Sequence, residues 1–98
     1  MPINLREYDN AEFTLATGQT DYDVAANQSA FVNNVKVYKR LEIRTNVTVS
    51  FKLNSTSNPA VTLNPEDSPY TIEWLEVVNI FITNSSGSTA SIKIFGTE

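Results

Sequence analysis

The chain has 98 residues, enough for one small domain, with 7 basic against 11 acidic side chains and a net charge of −4. It contains neither Cys nor His. That excludes disulfide scaffolds, zinc sites built on thiolate or imidazole, and mechanisms that need a His base or a Cys nucleophile. The acidic balance speaks against nucleic acid, and no run of about 18 apolar residues is available to cross a bilayer. The start, Met1 to Glu7, has no basic and apolar leader pattern, so no secretory signal is expected. The absence of Cys fits a protein made in a reducing cytoplasm or one whose environment changes after synthesis.

In chain order, Ile3 and Leu5 alternate with polar neighbours. Residues 1–10 therefore read as either an N-terminal arm that adds to another sheet edge or a first strand, and residues 11–98 as a single β-sandwich domain. Phe13 and Leu15 mark a strand, and Thr17-Gly18-Gln19 a turn. Tyr22 and Val24 alternate with Asp21 and Asp23 in a second strand, followed by a helical turn near Ala25-Ala26-Asn27. Val35 to Tyr38 gives a third.

The strongest pattern runs from Leu41 to Leu53. Leu41, Ile43, Val47, Val49, Phe51 and Leu53 hold odd positions, with polar residues between them. A two-residue hairpin at Thr45-Asn46 would set Arg44 against Val47, so one long, bent strand is expected. Ala60 to Leu63 lies between turn signals, with a short helical turn at Pro65-Glu66-Asp67, and Tyr70 to Trp74 follows Pro69. Residues 78–83 and 90–95 flank Ser85 to Thr89 and read as a hairpin pairing Ile82 with Ile92 and Ile80 with Ile94. Leu75 and Val77 differ in parity from Ile80 and Ile82, which predicts a bulge or bend near Val77-Val78. About eight short strands at even spacing predict an all-β fold, a small antiparallel β-sandwich of jelly-roll type. Either Lys36, Lys52 and Lys93 protect its edges or oligomerisation covers them.

Candidate sites are few. Asp21 and Asp23 on one strand face could bind calcium or act as a carboxylate pair, or simply form a wet face. Glu66-Asp67 suits a helix start. Tyr70 and Trp74 are candidate ligand or interface aromatics, although a single Trp in a small sandwich ordinarily fills the core. Phe81, opposite in parity to Ile80 and Ile82, is a candidate assembly contact, as are Ile3 and Leu5. Lys36, Lys39, Arg40 and Arg44 form a basic cluster suited to solvent or an acidic partner. Asn, Ser and Thr fill 31 positions, a composition for a neutral hydrogen-bonding surface. The sequons at Asn27, Asn46, Asn54 and Asn84 follow from that composition.

The C-terminal stretch, Leu75 to Asn84 followed by Ser85-Ser86-Gly87-Ser88 and Ala90 to Phe95, resembles small virion proteins of tailed bacteriophages. Val47-Thr48-Val49-Ser50-Phe51 and the Asn-, Ser- and Pro-rich turns after it are similar in style. Among such proteins a free-standing β-domain of this size is most similar to head decoration, or cement, proteins. The resemblance implies a non-enzymatic structural protein of the virion capsid surface without cofactors. It also implies a homotrimer bound to the major capsid protein, with Ile3 and Leu5 in an arm. The alternative from the aromatics is a carbohydrate- or receptor-binding module of a tail or fibre, using Trp74 and Tyr70.

Overall fold

The computed structural model describes residues 8–28 and 37–97. Its strands are β1 (Tyr8–Leu15), β2 (Tyr22–Asp23), β3 (Tyr38–Thr45), β4 (Val49–Leu53), β5 (Val61–Leu63), β6 (Tyr70–Val77), β7 (Ile80–Thr83) and β8 (Ala90–Thr97). One helical turn, α1 (Val24–Asn27), follows β2, and a 3-10 turn (Pro65–Asp67) precedes β6. The strands form two antiparallel sheets, in the orders β1-β8-β3-β6 and β2-β7-β4-β5.

The order has a simple origin. β1 pairs with β8, β2 with β7, β3 with β6 and β4 with β5. The chain is thus one long hairpin of four strand pairs, and successive pairs fall alternately in the two sheets. β8 then joins β3, and β7 joins β4, to complete each sheet. This is the eight-stranded jelly roll, and the sequence expectation of an all-β antiparallel sandwich holds.

Alternation supplies the core. Leu41 and Ile43 of β3, Ile92 and Ile94 of β8, and Leu15 of β1 are buried from one sheet. Phe51, Leu63, Ile80 and Ile82 are buried from the other, in the same core. Burial of these branched side chains from both sheets is the main force closing the sandwich.

Several local expectations change. Leu41 to Leu53 is neither one strand nor a hairpin: β3 and β4 lie in opposite sheets. The parity of buried residues survives the corner, so pattern alone could not reveal it. The break is built by Thr45, whose Oγ1 donates to the Val47 carbonyl at 2.7 Å, and by Asn46, whose Oδ1 accepts from the Ser91 N–H at 2.7 Å. Residues 78–83 and 90–95 are likewise no hairpin. Ile82 opposes Tyr22 and Phe51, while Ile92 opposes Phe13 and Thr45. The four isoleucines do share one interior, reached from opposite sheets.

The phase slip at Val77-Val78 is the corner between β6 and β7. The second strand is only two residues long, because Asp23 becomes the N-cap of α1 and accepts from the Ala26 N–H at 3.0 Å. The helical turns near 25–27 and at 65–67 form as expected. Residues 8–10 belong to β1, so the domain begins before residue 11. Lys52 and Lys93 do not guard edges. They lie on the interior strands β4 and β8, beside Asp21 at 3.2 Å and Glu12 at 3.6 Å. Lys36 lies outside the described residues.

Asparagine does more than wet the surface. Asn54 Oδ1 accepts from the Val78 N–H at 2.7 Å and its Nδ2 donates to the Glu76 carbonyl, which pins the β6–β7 corner. Asn79 Oδ1 accepts from the N–H groups of Ala25 and Ile80. Asn84, fully buried, donates to the carbonyls of Leu15 and Ser88 and accepts from the N–H and hydroxyl of Ser86. Such side chains satisfy backbone groups that a chain leaving a sheet would otherwise bury unpaired.

A candidate interaction face at the open edge

β6 and β5 are edge strands of the two sheets. Between them runs a cleft lined by Phe51, Leu53 and Val61 from one sheet and by Tyr70, Ile72 and Leu75 from the other. Tyr70 is half-buried there, edge-on to Phe51 with ring centroids 5.6 Å apart.

Trp74 is not a core residue. Tyr38 opposes Val77 and Arg40 opposes Glu73, which leaves Lys39 alone across from Trp74, Leu75 and Glu76. β6 therefore bulges outward. Inward parity runs through Tyr70 and Ile72 to Trp74, but Trp74 has φ of +69°. The indole is turned out of the sandwich and is 94% exposed. Leu75 and Val78 are exposed beside it, and burial resumes at Val77. The sequence does carry a signal for this: adjacent apolar residues at Trp74-Leu75 break the alternation, as a bulge requires.

Two adjoining hollows lie along this stretch of β6 and share Leu75 and Glu76. One is bounded by Lys39, Glu73, Trp74, Leu75 and Glu76. The other is a groove of about 360 Å³, with apolar walls from Leu53, Pro59, Val61 and Leu75 and polar ones from Asn54, Asn58 and Glu76. Arg40 bridges Glu42 at 2.9 Å and Glu73 at 3.4 Å. Lys39 and Glu76 form no ion pair among the described residues. The expected basic cluster is thus divided, with Arg40 engaged by glutamates, Lys39 and Arg44 exposed, and Lys36 outside the described residues.

The other candidates lie elsewhere. Phe81 is half-buried on the outer face of β7, opposite Asp23 and Lys52, in the other sheet from β6. Ile3 and Leu5 lie outside the described residues. Asp21 and Asp23 do not alternate along one strand face. Asp21 precedes β2 at φ of +49°, with its carboxylate on Lys52 and its N–H donating to Thr83 Oγ1. Asp23 caps α1 and accepts from Asn79 Nδ2 at 2.8 Å. Both carboxylates hold the fold together locally. Glu66 and Asp67 form the 3-10 turn after Asn64, with the Asp67 carboxylate accepting from the Asn64 N–H at 3.4 Å.

No family model matches the chain, and no curated protein matches it. Among solved structures it is similar to a de novo designed double-stranded β-helix determined by solution NMR. The two are 21% identical, with 89% of this chain and 96% of that chain covered and a TM-score of 0.55. At that identity the likeness concerns architecture alone, and it agrees with the strand order: this chain has the fold of a jelly-roll β-sandwich.

Proposed function

We propose that this chain is a non-catalytic assembly module, and that its role is to decorate a tailed-phage head by binding the mature capsid lattice. The supporting observation is Trp74: a large aromatic set outside the core at an open edge, with Leu75 and Val78 exposed beside it. Aromatic side chains of this kind anchor interfaces because they bury much area at little conformational cost. The phage-head role draws on the resemblance of the C-terminal half to small virion proteins. Binding only the expanded lattice would stabilise that lattice by mass action, and repeated copies would multiply the effect. Cryo-electron microscopy of particles containing the protein tests this role. Hundreds of copies in symmetric clusters over the shell are expected, whereas a few copies at a tail or fibre tip would overturn it.

A second reading is favoured by the same hollow, where Glu73 and Glu76 stand beside an exposed indole. An aromatic face with neighbouring carboxylates suits a sugar ring, which stacks through its C–H groups and donates hydroxyl hydrogens. Saturable quenching of Trp74 fluorescence by one member of a glycan panel would establish that reading over assembly.

A further inference from the structure

We infer that a second copy of this chain docks on the Trp74 face about a two-fold axis, each indole seated in the other copy's groove between Leu53, Pro59, Val61 and Leu75. The inference rests on the assembly reading and gives the Trp74 face to self-association, which leaves another surface of the dimer for the capsid lattice.

The hollow beside the protruding ring and the groove adjoin, since Leu75 and Glu76 line both. A projection and a socket on different faces of a molecule generate rings or fibres. When both occupy one face, two copies meet face to face and make each contact twice. The groove, about 360 Å³, falls in the size range of sites that enclose small ligands, and its apolar walls suit an indole.

Charge points the same way. A face that binds its own copy must be complementary to itself, so it needs cations and anions in balance. Lys39 and Glu76 both border Trp74, one of each sign, outside any ion pair among the described residues. Arg40 nearby is already engaged between Glu42 and Glu73. The contact is made by side chains: the Trp74–Glu76 bulge twists β6 away from the flat geometry that strand addition requires.

The test is sedimentation equilibrium of the intact chain from micromolar to millimolar concentration, with fluorescence recorded in parallel. Trp74 is the sole tryptophan. Dimers are expected to form as Trp74 emission moves to shorter wavelength. Trp74→Gly, which suits the positive φ, is expected to stay monomeric with an undiminished unfolding temperature. Lys39→Glu and Glu76→Lys should each weaken self-association about tenfold. Mixing those two variants should restore a heterodimer, because both cross-pairs are then opposite in sign. A monomer throughout, a trimer, or a dimer that Trp74→Gly leaves intact would overturn the inference. A chain that remains monomeric yet loses saturable binding to phage heads on Trp74→Gly would overturn the second-copy inference alone and leave the assembly reading standing.

Discussion

Gly96 lies directly against Tyr38: a β-carbon placed on Gly96 would fall 2.8 Å from Tyr38 Cδ1 and 2.7 Å from Leu41 Cδ2. The leucine terminus can rotate away. The tyrosine ring is fixed, because its hydroxyl donates to Asp9 Oδ2 at 2.5 Å within the buried interior of β1 and β3. Gly96→Ala should therefore destabilise the fold by about 1–3 kcal/mol through overpacking. Urea unfolding should show a lowered midpoint with an unchanged slope.

Asn84 is the second sensitive position. Asn84→Ala strips partners from the Leu15 and Ser88 carbonyls and the Ser86 N–H, with an expected loss of about 1–3 kcal/mol. Asn84→Asp should be worse at neutral pH, since a buried carboxylate would be desolvated and could not donate to Leu15. Burial raises the folded-state pKa of such an acid, so the penalty should shrink as pH falls and the group is protonated. Thermal melts of the two variants across pH 4 to 8 (about the carboxylate titration range and above) would reverse that ordering only if the site were open to water.

At the Asp21–Lys52 pair, both side chains are about three-quarters buried and Asp21 Oδ1 has no hydrogen-bond partner apart from its ion-pair contact at 3.2 Å. Lys52→Met is expected to cost about 1–3 kcal/mol by leaving that oxygen buried beside no cation. The double variant Asp21→Asn with Lys52→Met should recover most of the loss. A double-mutant cycle by chemical unfolding measures the coupling.

Trp74 gives a spectroscopic prediction. In dilute solution the emission should be that of an indole in water and should be quenched readily by iodide, given its 94% exposure. Trp74→Gly should hold or raise stability by up to about 1 kcal/mol, because glycine adopts a φ of +69° without the clash of a β-carbon. Blue-shifted, unquenched emission at nanomolar concentration would place the ring in the core after all.

What could be read from the chain was the inward residue set and the fold class. Parity points Ile43, Phe51, Ile82 and Ile94 inward, and each is buried. Sheet membership was not legible, because an inward residue looks the same whether its strand continues straight or turns a corner into the opposite sheet. Thr45 and Asn46 show why: the bonds that make the turn run to Val47 and Ser91, and the second of these links distant parts of the chain. The outward position of Trp74 is hidden for a related reason. Its parity with Tyr70 is real, but a single positive φ reverses the direction of the side chain. The corner-holding role of Asn54 and Asn84 was likewise hidden in a composition that suited a wet surface equally well.

The nested strand pairs carry a kinetic consequence. Tyr8 opposes Thr97, so the outermost pair joins near-opposite ends of the chain, whereas Phe51 opposes Val61 across a short connection. Closing the outer pair first would demand the largest loop entropy, while starting at β4 and β5 lets each further pair close far less additional chain. Folding should then proceed from the tip of the long hairpin outward, with β4 and β5 ordered early and β1 docking last. Mutations in β1 would thus accelerate unfolding far more than they slow refolding.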